Sequence, residues 1–287
     1  MTTERVLGID IGASKIAFAI VGSGATQHAE RLSIGLHASP LEALRPVLDR
    51  LADHVEAHGI FKTIVLAAAP NLDASGRVAR WPNRPDWKGM PLVALFSRFA
   101  SHDIAWCDDG SAATIADARL LDTTTLVHLS LGTGVGGGVY FQGRLLRDRE
   151  PGHLIVVPDG EPCNCGRRGC LQAYASARSL ERHRAEGGSD NAWLNQATRW
   201  TAACVANLQE LFRPSIVTIS GGLGAQFPLF PELVAGHLER EFLKPSAAPP
   251  RLMRSPSGDN ASLHGALTLA AARESERAAN CEVLKLR

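Results

Sequence analysis

The sequence has little that would suit a nucleic-acid or a membrane protein. Its 30 Lys and Arg nearly balance 29 Asp and Glu, and no basic run could follow a phosphate backbone. No apolar stretch reaches the roughly 18 residues that span a bilayer. No basic segment followed by an apolar one precedes the strand-like run that begins at Val6, so we expect no secretory signal and a cytoplasmic protein. Neither nucleic acid nor a membrane is therefore expected as a partner.

The chain also lacks low-complexity tracts, and its composition (45% hydrophobic, 21% charged) is that of a globular protein. A length of 287 residues is too great for one small core and suits two packed lobes. Strand patterns alternate with helical ones, and two strand–turn–strand units predict a duplicated α/β architecture. We place the lobes at 1–115 and 116–287, and the last helix is a candidate to pack back on the N-terminal lobe.

Hydrophobic patterning and turn residues predict the main elements. Strands are expected at 6–11, 16–21, 63–69, 103–107, 125–131, 139–142 and 215–220. Helices are expected after Ser39-Pro40 and at 109–121, 176–186, 192–212 and 263–273. The stretches 80–91 and 147–169 are expected to be mostly irregular.

The first glycine turn, Asp10-Ile11-Gly12-Ala13-Ser14-Lys15, joins the first two expected strands. A strand that ends in Asp-x-Gly lets the backbone turn sharply, so that its amides can face an anion. Asp10 would then lie near a transferred phosphate and help to hold Mg²⁺, usually through water. An Asp-Gly hairpin turn without a ligand is the alternative.

Two further glycine turns lie in the second half of the chain. The second glycine turn, residues 132–138, has five glycines in seven positions, far more than a hairpin requires, and close approach of phosphate to backbone is the simplest cause. It matches neither a P-loop nor a Rossmann turn. The third glycine turn, Ser220-Gly221-Gly222-Leu223, ends a strand and suits a nucleotide base or ribose. Three such turns in this order indicate two strand-rich halves that close on a nucleotide.

Half of the six cysteines are clustered rather than spread as in a disulfide framework. Cys163, Cys165 and Cys170 lie within eight residues, and His153 precedes them. In a reducing compartment such a cluster favours a metal over disulfides. Three sulfurs and one imidazole complete a tetrahedral Zn²⁺ ligand set with no position left for water, which predicts a structural zinc. Free thiols beside an ordinary loop histidine are the alternative.

Taken together, these motifs resemble the ROK family (repressors, open reading frames, kinases). The resemblance covers nearly the whole chain and rests on Asp-x-Gly-x-x-Lys, Leu-Gly-Thr-Gly-x-Gly-Gly-Gly, Glu-Pro-Gly-His and Cys-x-Cys-Gly-x-x-Gly-Cys-Leu. It implies a two-lobed actin-like ATPase (ribonuclease H-like) fold with a structural zinc loop. It also implies an ATP-dependent kinase that phosphorylates a sugar or sugar-like polyol with Mg²⁺, and a homodimer.

The resemblance further implies roles for individual residues. The catalytic base is Asp109, in Asp108-Asp109-Gly110-Ser111, where the family has Asn-Asp-Ala-Asn; helix capping by either aspartate is the alternative. The residues expected to contact the sugar are Asn83, Asp108, Asp109, Ser111, Glu150, His153 and Gln172. Those expected to contact the nucleotide and Mg²⁺ are Asp10, Gly12, Ser14, Lys15, Gly132, Thr133, Gly134, Gly136, Gly221 and Gly222.

Two positions depart from the family pattern. Ser111 replaces the second Asn of the base segment, and Gln172 replaces the Glu that normally follows Cys-Leu. Both positions usually contact sugar hydroxyls, so we expect an active kinase with an unusual substrate rather than an ordinary glucokinase. The candidates are an amino sugar, another hexose or a carbocyclic analogue such as a C7-cyclitol. A non-catalytic sugar sensor is the alternative from another class. A repressor is not expected, because the first glycine turn begins at Asp10 and leaves no room for a winged helix.

Overall fold

The computed structural model describes residues 5–22, 25–34, 39–81, 84–102, 104–146, 149–244 and 248–275. The strands are β1 (Arg5–Ile11), β2 (Lys15–Gly22), β3 (Ala25–Ser33), β4 (Thr63–Ala68), β5 (Asn71–Leu72), β6 (Val78–Arg80), β7 (Ile104–Cys107), β8 (Leu126–Leu131), β9 (Val135–Phe141), β10 (Arg144–Leu146), β11 (Ile216–Ser220) and β12 (Arg251–Arg254). The helices are α1 (Pro40–His58), α2 (Leu92–Ser97), α3 (Asp109–Leu120), α4 (Gln172–Ala175), α5 (Ala177–Ala185), α6 (Asp190–Phe212), α7 (Gly221–Gln226), α8 (Phe230–His237) and α9 (Ala261–Ser275).

Short helical turns complete the list of elements, as 3₁₀ turns at Pro85–Trp87, Pro151–His153 and Gly258–Asn260 and a π-helical turn at Leu238–Phe242. Across the described ranges, none of the helices combines the length and hydropathy needed to cross a membrane.

The described residues form two compact units. The first contains the residues up to Ala112 together with those from Ser262 onward, and the second is Ala113–Ala261. Helix α9 therefore contributes most of its length to the first unit, where Leu263 is buried with Ala17 and Ala19 of β2.

The first unit is built on a five-stranded sheet of order β3-β2-β1-β4-β7. Strands β1, β2 and β3 pair antiparallel, whereas β4 and β7 continue the sheet in parallel. All seven residues of β1 and all six of β4 are buried, as expected of central strands covered on both faces. The antiparallel β1–β2 pair is the first of the two predicted strand–turn–strand units.

Helix α1 covers this sheet, and it starts where the sequence predicts. Ser39 and Glu42 form a capping box, and Pro40 occupies the first turn, where its missing N–H leaves no intrahelical bond unmade. Leu44, Val47 and Leu51 lie one helical turn apart and are fully buried in the core of the unit.

The second unit repeats the same architecture with the order β10-β9-β8-β11-β12. Strands β8, β9 and β10 pair antiparallel, and β11 and β12 pair in parallel, which matches the first sheet strand for strand. The long helix α6 and helix α8 contribute apolar side chains to the same core as strands β8, β9 and β11 of this sheet. The predicted duplication of an α/β architecture is thus confirmed.

The extent of the second glycine turn was predicted wrongly. The turn proper is residues 132–134, and β9 already begins at Val135, so that Gly136–Gly138 belong to the strand. A Cβ on Gly137, whose φ is +152°, would clash with the carbonyl oxygen of His128 on β8. Part of the glycine run therefore serves close approach of two strand backbones.

Five strands were missed altogether, namely β3, β5, β6, β10 and β12. Strand β3 is an edge strand whose residues are mostly exposed and polar, so it lacks the apolar alternation that identifies a strand. Strand β10 is three residues long and was assigned to no element.

Candidate active site

The first glycine turn is a tight backbone reversal between β1 and β2. The Gly12 N–H donates to the Lys15 carbonyl over 2.9 Å, and the Ser14 carbonyl accepts the Ile34 N–H over 2.9 Å. Ser14 is exposed, and Gly12 and Lys15 are half-buried. The turn thus ends a buried strand at the surface of the first unit, where its remaining backbone amides can meet an anion.

Asp10 is the buried acid of this turn, with a relative exposure of 7%. Burial, with a further contribution from the charge of Asp109, raises the pKa of Asp10 to about 7, although Lys15 and Arg31 act in the opposite direction. A bound cation would reduce the repulsion between the carboxylates of Asp10 and Asp109. The residues therefore fit a Mg²⁺ ion, held directly or through water.

The two aspartates at the start of α3 have different roles. The Asp108 carboxylate Oδ1 accepts the Ser111 N–H over 2.7 Å, and the Asp108 carbonyl accepts the Ala112 N–H, which is the arrangement of a helix N-cap. Asp109 is half-buried in the first helical turn, and its Oδ1 accepts the Gly110 N–H over 2.9 Å. Capping, the alternative considered for both residues, is therefore a function of Asp108.

Of the two other residues of the first unit that are predicted to contact the sugar, the structure describes one. Ser111 is buried in the first turn of α3, with a relative exposure of 3%. Asn83 lies outside the described residues, so its predicted sugar contact stays a prediction.

A residue next to Asn83 was not singled out from the sequence. Arg84 is 2% exposed, and its Nη1 donates to the Ala13 carbonyl of the first glycine turn over 3.2 Å. Its guanidinium also lies 5.2 Å from the centre of the Trp87 ring and 3.4 Å from an Asp86 oxygen. The buried guanidinium of Arg84 thus links the loop that contains Trp87 to the first glycine turn.

The second glycine turn lies in the second unit and leaves room above its backbone. The Gly132 N–H donates to the Gly134 carbonyl over 2.9 Å. A Cβ on Gly132 would meet no protein atom within 4 Å, so packing does not account for the glycine there. Thr133 is exposed at the tip, and Gly136 lies in β9.

The third glycine turn forms the first turn of α7. Gly221 has a φ of +87°, and a Cβ there would clash with the Leu131 carbonyl at the end of β8. A Cβ on Gly222 would meet nothing within 4 Å. Gly221 is thus required by the fold of this unit, whereas Gly222 leaves the backbone open to a ligand.

The predicted zinc ligands come together in the second unit. The donor atoms of His153, Cys163, Cys165 and Cys170 all lie within 4.8 Å of one another. The Cys165 and Cys170 sulfurs are 3.7 Å apart, and the Cys163 sulfur is 3.6 Å from His153 Nδ1. Tetrahedral zinc, with bonds of about 2.3 Å to sulfur and about 2.0 Å to nitrogen, would give separations of about 3.8 and about 3.5 Å. The cluster therefore fits zinc.

The protonation of the thiols supports the same conclusion. Burial raises the pKa of Cys163, and burial together with the neighbouring thiols raises the pKa of Cys170 to about 12. Burial also acts to raise the pKa of Cys165, but hydrogen bonds from Arg167 bring it down to about 7. Without a cation Cys163 and Cys170 therefore stay protonated, and a bound zinc ion would supply the charge that holds all three sulfurs as thiolates.

Gln172 connects the zinc cluster to the second glycine turn. Its Oε1 accepts the Val135 N–H over 3.1 Å, and its Nε2 donates to the Cys163 sulfur over 3.7 Å. A glutamate could not donate to that sulfur, which gives a physical reason for an amide here. Because both polar ends of Gln172 have protein partners, its predicted sugar contact stays a prediction.

Glu150 and His153 form a second pair at the zinc loop. His153 directs Nδ1 to Cys163, and its Nε2 lies 3.4 Å from an oxygen of Glu150, whose side chain is 62% exposed. A carboxylate on the outer nitrogen of a ligating histidine orients the ring. Glu150 thus supports the metal cluster, and its exposed carboxylate remains a candidate for sugar contact.

Comparison with known proteins identifies the family. The ROK family model matches residues 6–273. Kanosamine kinase of Amycolatopsis mediterranei is 36% identical over an alignment of 295 positions that covers 94% of this chain and 97% of that protein. N-acetylmannosamine kinase of Escherichia coli is 29% identical over 78% of this chain and 84% of its own length. The crystal structure of a ROK hexokinase from Thermus thermophilus superposes with a TM-score of 0.80 at 25% identity, over 95% of this chain and 99% of that one.

These matches extend over nearly all of the described fold, including both glycine-turn sheets and the zinc loop, and they confirm the actin-like ATPase fold that the motifs predict. The chain therefore belongs to the ROK family.

Proposed function

We propose that this protein, an ATP-dependent carbohydrate kinase, transfers the terminal phosphoryl group of ATP to a hydroxyl of an amino sugar, with Asp109 as the general base. The observation that carries the assignment of the base is the division of roles at the start of α3. Asp108 caps the helix, and Asp109 places a half-buried carboxylate close enough to Asp10 to raise its pKa.

In this mechanism Asp109 accepts the proton of the attacking hydroxyl, which becomes a better nucleophile as the new bond to phosphorus forms. The open space above the backbone at Gly132 and Gly222 lets the nucleotide approach both turns closely. Bound Mg²⁺ would neutralise charge on the transferred phosphoryl group, and Asp10 is the residue that would hold it.

Support for an amino sugar as the acceptor comes from relatives and from the altered pocket positions. Kanosamine kinase and N-acetylmannosamine kinase, both named for amino sugars, match most of this chain. Ser111 is shorter than the family Asn and would leave room for a different substituent on the sugar. A neutral hexose and a C7-cyclitol remain the other candidates.

Three further properties belong to the proposal. His153, Cys163, Cys165 and Cys170 would hold a structural zinc ion that fixes the loop against β9. A homodimer and a cytoplasmic location are the other two properties, and the family resemblance supports them.

The experiment is an ADP-release assay with Mg²⁺-ATP against glucose, kanosamine, N-acetylmannosamine and a C7-cyclitol. We expect the highest kcat/KM with an amino sugar. Highest turnover with glucose would show that Ser111 and Gln172 are tolerated in an ordinary hexose pocket. Sugar binding without turnover of any acceptor would favour the non-catalytic sensor instead.

A further inference from the structure

A buried hydrogen-bond relay in the second unit is used by none of the roles assigned so far. Asp117 of α3 and His128 of β8 have no exposed surface, and Ser220 ends β11 half-buried. His128 Nδ1 lies 2.9 Å from Asp117 Oδ2, and His128 Nε2 lies 2.8 Å from the Ser220 hydroxyl. The three side chains thus form one chain of hydrogen bonds that reaches the third glycine turn.

The partners of Asp117 set the direction of this relay. Ser255 and Ser257 donate to Asp117 Oδ1 over 2.8 and 2.9 Å. His128 Nδ1 also lies 3.0 Å from the Thr218 hydroxyl oxygen, but an ionised Asp117 can only accept, so Nδ1 carries the hydrogen that it donates to Asp117. In that tautomer the neutral His128 presents Nε2 as an acceptor. The hydrogen of Ser220 is then directed to His128.

Ser220 is consequently an acceptor toward any ligand. Its oxygen has lone pairs left, whereas its hydrogen is already donated. The adjacent Gly221-Gly222 turn is the part of this unit proposed to lie under the nucleoside. Phosphate oxygens are acceptors only, so an acceptor here cannot serve them, whereas a ribose hydroxyl can donate to it.

We propose that Ser220 accepts a hydrogen bond from a ribose hydroxyl of the bound nucleotide, and that Asp117 and His128 are positioning residues that hold the Ser220 oxygen in the accepting orientation. This inference rests on the proposed function, since it requires that the nucleotide bind at the third glycine turn. It gives the nucleoside end of the site a polar contact in addition to its glycines.

The test measures the Kd of Mg²⁺-ATP, 2′-deoxy-ATP and 3′-deoxy-ATP by calorimetry, without sugar, on the full chain. Ser220→Ala should weaken ATP binding about fivefold, the effect of one neutral hydrogen bond. It should leave the Kd unchanged for whichever deoxynucleotide lacks the donating hydroxyl. Equal weakening for all three nucleotides, or no weakening for ATP, would overturn the proposal.

Two histidine variants separate positioning from simple structural support. His128→Asn keeps a donor near Asp117 but does not reach Ser220, and should weaken ATP binding as much as Ser220→Ala does. His128→Gln places an amide near the position of Nε2 and should restore affinity. In the Ser220→Ala background, His128→Asn should have no further effect on the Kd. A further loss there would show that His128 does not act through Ser220.

Ser257→Ala is the matched control, because it removes a different hydrogen bond to Asp117. It should lower the melting temperature and leave the Kd of ATP unchanged. A loss of ATP affinity as large as that of Ser220→Ala would show that the relay only supports the fold. If the wild-type protein phosphorylates a sugar and Ser220→Ala leaves the Kd of ATP unchanged, this inference alone is overturned. Wild-type protein that binds no Mg²⁺-ATP overturns the proposed function as well.

Discussion

Removal of zinc should destabilise the second unit by an amount that follows from the structure. The ligands at the two ends of the loop, His153 and Cys170, are joined only by turns and isolated bridges such as Ile155–Cys170 and Pro162–Arg168. A cross-link across a loop of this length removes chain entropy worth about 3 kcal/mol from the unfolded state. Because such a cross-link acts through the unfolded chain, its loss should appear in the free energy of unfolding.

The assay combines zinc release, followed with a chromogenic chelator, with thermal melting of the same samples. For a unit of this size, a loss of about 3 kcal/mol corresponds to a melting temperature lower by about 10 °C. Cys165→Ser should abolish stoichiometric zinc and give the same shift. Cys204→Ala is the matched control, because Cys204 is buried in the core of the second unit outside the cluster, where its thiol donates to the Pro151 carbonyl.

Zinc content should therefore be close to one ion per chain in wild type and in Cys204→Ala, and near zero in Cys165→Ser. An unchanged melting temperature after demonstrated zinc loss would refute the reasoning, since the loop would then be held by its own contacts.

Three other predictions concern residues of the two units. Asp109→Asn should lower kcat by about 10²- to 10⁴-fold with little change in sugar Kd, whereas Asp108→Asn, which can still cap α3, should lose far less; similar losses in both would argue against Asp109 as the base. Gly152→Ala should lower the melting temperature by several degrees, because a Cβ there would clash with the Val135 carbonyl; a wild-type melt would show that the zinc loop can shift. Burial acts to raise the pKa of Asp117, but hydrogen bonds bring it below the ordinary carboxylate value. The stability that ionised Asp117 contributes is therefore present above the ordinary carboxylate pKa and is lost as pH falls through the depressed pKa. The difference in melting temperature between wild type and Asp117→Asn should narrow in acid, and a difference that does not change with pH would contradict the depressed pKa.

Much of the fold was predictable because the relevant signals are local. The capping box of α1 spans four residues, and the zinc ligands Cys163, Cys165 and Cys170 lie within one short loop. Buried central strands such as β1 and β4 are recognisable as apolar runs. Edge strand β3 was not, because an exposed strand has no requirement for apolar side chains.

Features that depend on distant contacts could not be predicted. Asp117, His128 and Ser220 meet although His128 and Ser220 are 92 positions apart, and neither Asp117 nor His128 belongs to a motif. Arg84 gave no signal because an arginine in a proline-rich loop is normally expected to be exposed, yet it is buried against Trp87. The second glycine turn misled for a related reason, since Gly137 reflects a close approach to His128 that the sequence does not reveal.

The matching strand order of the two sheets has a consequence for how the chain divides its chemistry. Asp10 and Ser130 occupy the same place, the next-to-last residue of the first strand of each sheet, immediately before Ile11 and Leu131. A carboxylate at one of two equivalent backbone positions and a hydroxyl at the other means that only the first copy can attract a cation by charge. The repeated scaffold thus provides two similar sharp turns. One has a carboxylate beside it, and the other has only backbone groups and a neutral hydroxyl for binding.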